Sequence, residues 1–328
     1  MTAATAKAAD GRTSPLGSAG RYAGRYTLQL VVVVGALLLV AVKPGFASVS
    51  NIQAILTGAS FAGLIACGET LLIACGMIDL SVAGLLAVCA VVAATVVPHT
   101  LVGVAALVAM LLGALLGAVN GLVVTRLRIP PFIATLATMN VFLALSFIWS
   151  RGKVEAVQSV YWQQIGTAKL LGVPVTFLAF LVVCVVSWVL LARTHFGRSL
   201  RALGSNEVAA RMAGIRVERT LLTAFIVAGL FTGVAAVMLS AVLSSAGGTM
   251  ATGIELNAIA IAVVGGTSLR GGSGTLLGTF TAALLFAGLD SGLNLLGVPS
   301  YWQYVAVGGV LVAALALGAR RQGTGTAT

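Results

Sequence analysis

Acidic side chains are scarce in this chain, eight Asp and Glu among 328 residues, and several of them stand in apolar surroundings. Glu69 lies in LIACGETLLIACG, with no other charge within nine residues on either side. An ionisable group inside an apolar run is either a hydrogen-bonded structural carboxyl or part of a polar path. Asp79 and Glu255 occupy two similar turns, GMIDLSV and GIELNAI. Each acid is followed two residues later by Ser81 or Asn257, and then by an apolar run. An acid with a short polar neighbour suits a helix start, where both can satisfy free N–H groups and the positive end of the helix dipole. The same turns also suit paired half-helix ends that line a path through a bilayer. Asn120, Asn140, Asp290 and Asn294 are further polar groups in apolar context. Glu69, Asp79, Ser81, Asn120, Asn140, Glu255 and Asn257 form the expected path.

The stretch GSNEVAARMAGIRVER, residues 204–219, offers docking rather than transfer chemistry, with two Glu and three Arg in sixteen residues. Ser205 is placed to cap a helix over about 206–213, with Glu207 in its first turn and Gly214 as the residue that ends it. Glu207 and Arg211 form an i,i+4 pair in the favourable order. Val208, Met212 and Ile215 make a narrow apolar stripe on another face. Eight residues rise only about 12 Å, too short to cross a membrane. Such a helix either lies on the lipid surface or inserts as a rigid knob into a soluble partner.

The elements that must position these residues are membrane spans. The chain is 59% hydrophobic and 8% charged, against roughly 25% charged in soluble domains. The apolar runs are continuous rather than alternating, so helices and not a barrel satisfy the backbone in lipid. Punctuation by Pro, Gly and charge gives ten spans, near 27–43, 51–76, 80–97, 101–124, 131–150, 171–192, 219–243, 254–267, 273–291 and 301–319. The eighth is short enough to be a half-helix. Residues 1–26 and 320–328 read as polar tails flanking a transmembrane domain at 27–319.

With the first tail in the cytoplasm, 15 of the 19 basic residues fall on inner segments, leaving Lys43, Arg151, Lys153 and Lys169 outside. The positive-inside rule therefore predicts both termini in the cytoplasm, and the net charge of +11 reports topology rather than nucleic-acid binding. In the long outer segment, Tyr161 and Trp162 suit the headgroup region. Residues 51–150 and 219–319 resemble each other with opposite starting sides. AGL at 62–64 recurs at 228–230, the Asp79 turn matches the Glu255 turn, and RIPPF at 128–132 matches GVPSY at 297–301. An inverted repeat follows, the common build of transport proteins.

Enzyme and cofactor signatures are missing. Gly152-Lys153 lacks the rest of a phosphate loop, and GGSGTLLG at 271–278 follows no soluble strand. Only two His occur, His99 and His195, so no catalytic or metal site is expected. The four Cys sit inside apolar runs as small hydrophobes. Gly113, Gly117 and Gly121 form two GxxxG steps, which suit close helix packing.

Four segments carry a family resemblance: GMIDLSVAGLLAVCAVVAA, VNGLVVTRLRIPPFIATLATM, FGRSLRALGSNEVAARMAGIRVERT and AIAIAVVGGTSLRGGSGTLLGT. In order, from about residue 45 to 318, the chain resembles permease subunits of bacterial ABC importers of the ribose/xylose type. The resemblance implies an all-α polytopic protein of the cytoplasmic membrane, with about ten transmembrane helices including short or broken ones. It would carry a monosaccharide or related polyol. The resemblance also makes Gly204, Ser205, Glu207, Val208, Arg211, Met212, Gly214 and Ile215 a coupling helix that docks on an ATP-binding subunit. That subunit would bind ATP and Mg, and a second permease copy and an extracytoplasmic sugar-binding protein would complete the importer. Nucleoside and branched-chain amino-acid permeases match these segments less well. The chain departs from the family pattern at Met77 and Glu69.

Overall fold

The computed structural model describes residues 15–157 and 159–299, with residues 301, 302, 305, 308 and 309 beyond them. Twelve helices follow one another among the described residues: α1 (Pro15–Val42), α2 (Val49–Ala74), α3 (Val82–Val96), α4 (Val102–Leu127), α5 (Pro131–Trp149), α6 (Val160–Thr167), α7 (Val175–Arg193), α8 (His195–Ser205), α9 (Glu207–Met212), α10 (Val217–Leu243), α11 (Ile254–Val264) and α12 (Leu276–Leu295). Four two-residue strands, β1 (Glu155–Ala156), β2 (Lys169–Leu170), β3 (Val173–Pro174) and β4 (Ser245–Ala246), pair antiparallel as β1 with β4 and β2 with β3. The protein is an all-α multi-pass membrane protein.

Seven described helices are long and apolar enough to cross a membrane: α2, α3 with its 3-10 extension to His99, α4, α5, α7, α10 and α12. Two shorter apolar helices, residues 28–42 of α1 and α11, coincide with the first and eighth expected spans. The tenth expected span, 301–319, and the tail 320–328 lie almost wholly outside the described residues. So do residues 1–14 of the expected first tail; its remainder belongs to α1.

The helices divide into central and peripheral ones. Most of α2 and α3 is buried, whereas α4, α5 and α7 expose much of their surface. Lipid is as apolar as Leu, so helices associate through small residues that let backbones approach. α4 and α10 show this: a β-carbon on Gly113 would stand 2.4 Å from the Gly229 carbonyl oxygen, and one on Gly117 would stand 2.2 Å from that of Phe225. The GxxxG steps are packing surfaces, as their spacing predicts.

The two ends of the bundle differ. At one end, Gln53 near the start of α2 donates to the Gly172 carbonyl at 2.8 Å, and the β1–β4 ribbon ties the segment after α5 to the segment after α10. Tyr161 is exposed there, but Trp162 is fully buried. The expected pair of interfacial anchors is thus corrected to one, because α6 packs on α10 with Gly166 set against the Ala241 backbone. At the other end lie the close of α2, the α8–α9 knob and the loop 266–275.

Candidate functional site

Three groupings of sequence-predicted residues emerge, at different levels of the bundle.

The first is the charged knob. Thr194 starts α8 by accepting the Gly197 N–H at 3.2 Å, and Leu200 and Leu203 turn into the protein. Ser205 ends α8 and its hydroxyl donates back to the Arg201 carbonyl at 2.9 Å. It is therefore not the cap of the next helix: Asn206 Oδ1 accepts the Ala209 N–H at 3.0 Å and caps α9. Gly204 likewise lies inside α8 rather than at the entry to α9. Gly214, at φ +82°, closes α9 as expected. Its N–H donates to the Arg211 carbonyl and the Ile215 N–H to that of Ala210, the paired bonds of a Schellman end. Arg211 bonds Glu207 at 3.2 Å and, beyond the expected pair, Glu218 at 2.8 Å, bracing α9 against the start of α10. Glu218 first and Glu207 second hold the exposed guanidinium pKa above its ordinary value. Val208 and Met212 project outward, 70% and 84% exposed, while Ile215 packs back against the core. The outward apolar face has two members, and the third is its anchor.

The knob is seated on glycines. A β-carbon on Gly204 would stand 2.1 Å from the Ala74 carbonyl oxygen and 2.4 Å from the Gly272 nitrogen. Gly272 N–H itself donates to the Ala74 carbonyl at 2.9 Å. Gly271 and Gly272 take φ of +82° and +81°, a conformation Gly adopts without a side-chain penalty. The glycine-rich run 271–274 thus joins the end of α2, the end of α8 and the loop that leads from α11 to α12.

The second grouping is a sealed polar cluster. Glu69, Asp79, Ser81, Asn120 and Thr135 are all at most 1% exposed. Asp79 Oδ1 accepts the Ser81 N–H at 2.8 Å, and Asn120 Nδ2 donates to Asp79 Oδ2 at 3.2 Å and to Ser81 Oγ at 2.6 Å. The Asp79 N–H points to Glu69 Oε2 at 3.4 Å, and the Leu80 N–H donates to Thr135 Oγ1 at 3.1 Å. Asp79 therefore fixes the break between α2 and α3 by holding backbone ahead of α3, with Asn120 bringing in α4. Thr135, the link to α5, was not among the expected residues. A threonine after a Pro-bounded helix start, in RIPPFIAT, was the available signal.

The third is a cavity of about 440 Å³ bounded by α2, α11 and α12 at the end opposite the knob. On α12 the spacing Phe286, Asp290, Asn294 puts a carboxylate and an amide on one face, and Ser291 donates to Asn51 Oδ1 of α2 at 2.7 Å. Asn257, in the second turn of α11, also lines it, and its Oδ1 is buried without a hydrogen-bond partner among the described residues. Of the expected path residues only Asn257 reaches this cavity. Glu255 lies in the first turn of α11 with Oε2 buried and unpartnered among the described residues. Asn140 is exposed on α5, where it donates to its own helix at the Leu136 carbonyl, 2.9 Å away.

Long apolar helices, internal polar groups and an external rigid knob together define a multi-pass membrane permease. The chain belongs to the family described as "Branched-chain amino acid transport system / permease component", which matches residues 51–315. It is 40% identical over 301 residues to the ribose import permease protein RbsC of Bacillus subtilis (strain 168), covering 91% of each chain. It is 38% identical over 303 residues to the ribose import permease protein RbsC of Escherichia coli (strain K12), covering 88% of this chain and 93% of that one. To the L-arabinose transport system permease protein AraH of the same strain it is 36% identical over 301 residues, covering 91% of each. No solved structure matches it.

Proposed function

We propose that this permease is the membrane subunit of an ATP-driven importer for a pentose or a similar monosaccharide. The observation that carries the reading is collinear similarity, over nine-tenths of the chain, to permeases named for ribose and for L-arabinose import. The family description also covers branched-chain amino acids, but these relatives transport sugars by name. They favour neither amino acids, nor nucleosides, nor coupling to an ion gradient.

In this reading ATP and Mg bind to a separate subunit, and α9 is the surface it grips, with Val208 and Met212 as the apolar contact. A sugar-binding protein delivers the solute to the opposite end. Two permease copies complete the pore, in the cytoplasmic membrane with both termini and residues 193–219 inside. About ten spans build each copy as an inverted repeat, which the similar acid-bearing segments at the starts of α3 and α11 support. Of the expected path residues, Glu69, Asp79, Ser81 and Asn120 serve the path by holding the α2–α3 break, and Asn257 contacts the solute.

Uptake of labelled D-ribose and L-arabinose into vesicles holding the permease, its ATPase and its binding protein tests the reading. Uptake that requires ATP and the binding protein is the expected result. Uptake driven by an ion gradient alone overturns it, as does labelling of a cysteine at position 206 from outside.

A further inference from the structure

We propose that the cavity between α2, α11 and α12 is a polyol-binding chamber within a single permease subunit, with Asp290 and Asn257 as its specificity-determining residues. The proposal rests on the sugar-import reading and adds where, and by which groups, the solute is held.

Four observations converge. First, the cavity, at about 440 Å³, falls in the size range of small-molecule sites, roughly 300–1,000 Å³. Secondly, its polar lining is confined to short side chains with fixed reach: Asn51, Asn257, Asp290, Ser291 and Asn294. Vicinal hydroxyl groups each donate one hydrogen bond and accept others, so a carboxylate beside amides offers both partners that a polyol needs. Among the described residues no basic side chain lines the cavity, which argues against an anionic solute. Thirdly, the buried Oδ1 of Asn257 has no partner among the described residues, although buried polar atoms are nearly always paired. A ligand hydroxyl supplies the missing donor. Fourthly, one helical turn from the polar groups the lining becomes apolar, with Phe286, Ile261 and Ala59 among its residues, and suits the C–H face of a pyranose or furanose ring. Asn51 is already fixed by the Ser291 hydroxyl and donates to the Phe46 carbonyl at 2.9 Å, so it shapes the chamber rather than choosing the solute.

The sealed cluster around Asp79 is a separate feature. Its groups bond mainly one another and backbone N–H groups; Glu69 Oε1 and Asn120 Oδ1 are also buried without a partner among the described residues, but none of the cluster lines the cavity.

The test uses the full transporter in proteoliposomes with labelled D-ribose and L-arabinose. Asn257→Leu and Asp290→Leu should lower the uptake of both sugars about tenfold or more. Stimulation of ATP hydrolysis by the loaded binding protein should persist, since the knob is untouched. Asp290→Asn should recover part of the rate and change the ratio of ribose to arabinose uptake several-fold, an effect that a purely structural role would not produce. Wild-type rates and an unchanged ratio in all three variants would overturn the chamber while leaving the sugar importer intact. A wild-type transporter that imports neither sugar would instead overturn the functional reading itself. Loss of hydrolysis together with uptake in both Leu variants, with no ratio change in Asp290→Asn, would make these residues structural and sink the proposal.

Discussion

Gly204 meets Ala74 backbone to backbone, so closely that a β-carbon on Gly204 would stand 2.1 Å from the Ala74 carbonyl oxygen. This contact seats the α8–α9 knob on the end of α2 and, through Gly272, on the loop between α11 and α12.

Gly204→Ala should separate these parts without touching the outer face of α9. The added methyl group has backbone on two sides, so the seat must open rather than a side chain rotate. ATPase subunit co-purification should remain at wild-type levels while uptake falls about tenfold or more. Wild-type uptake by this variant would show that the knob works without the seat.

Val208→Asp and Met212→Asp address the other face. Both side chains are largely exposed in the isolated permease, so the substitutions should leave membrane levels unchanged. Docking would bury the new carboxylate, and an unpaired buried charge costs several kcal/mol. Co-purification of the ATPase subunit should be lost, and uptake with it. A helix that merely lay on lipid would keep the ATPase bound, and pull-down distinguishes the two.

Asp79 holds the Ser81 N–H and is held by Asn120. Asp79→Asn should be milder than Asp79→Leu, because the amide oxygen can still accept from Ser81. Asn120→Leu strips donors from two buried acceptors at once, a loss of roughly 1–3 kcal/mol for each group left unsatisfied. A lower melting temperature in detergent is expected for Asn120→Leu and Asp79→Leu, with Asp79→Asn between them and wild type. Equal loss of transport in Asp79→Asn and Asp79→Leu, with unchanged melting, would point to an ionisable transport group instead.

Gly117→Val should prevent α4 from reaching α10. The new β-carbon would lie 2.2 Å from the Phe225 carbonyl oxygen, and overpacking of this kind costs about 1–3 kcal/mol or more. Membrane levels of the protein should drop, as read by immunoblot. An unchanged level would mean that the two helices can part without penalty.

Periodicity and apolar run length carried most of the fold, because a helix in lipid must satisfy its own backbone and so announces its length. The GxxxG steps and the Gly214 helix end were equally legible, since each rests on local backbone demands. Other features depend on distant partners. Arg211 shows its bond to Glu207 in the spacing, but its bond to Glu218 exists only because the chain folds back at Gly214. Ser205 and Asn206 are both good caps, and which one serves depends on where α8 ends, which packing of Leu200 and Leu203 decides. Isolation in an apolar run flagged Glu69 and Asp290 alike. It could not say that one is sealed against Asp79 while the other borders open space, because that depends on which face of each helix meets a neighbour. Asn140 carried the same flag and simply satisfies itself on its own helix.

Filled with water, the cavity beside α11 would also reshape the electric field across the bilayer. α11 has only 11 residues, about 16 Å of helix, and the lining of the cavity reaches as deep as Ala62, Ile261 and Ala283. A wet recess carries the potential of its own side inward, so a voltage that would otherwise spread across about 30 Å of hydrocarbon concentrates over the layer beneath those three residues. An elementary charge crossing 100 mV exchanges about 2.3 kcal/mol with the field, whereas a neutral sugar exchanges none. That layer would therefore be the electrical insulation of the permease, and thinning it by even a methyl group, as in Ile261→Val, should be felt first as ion leak rather than as altered sugar transport.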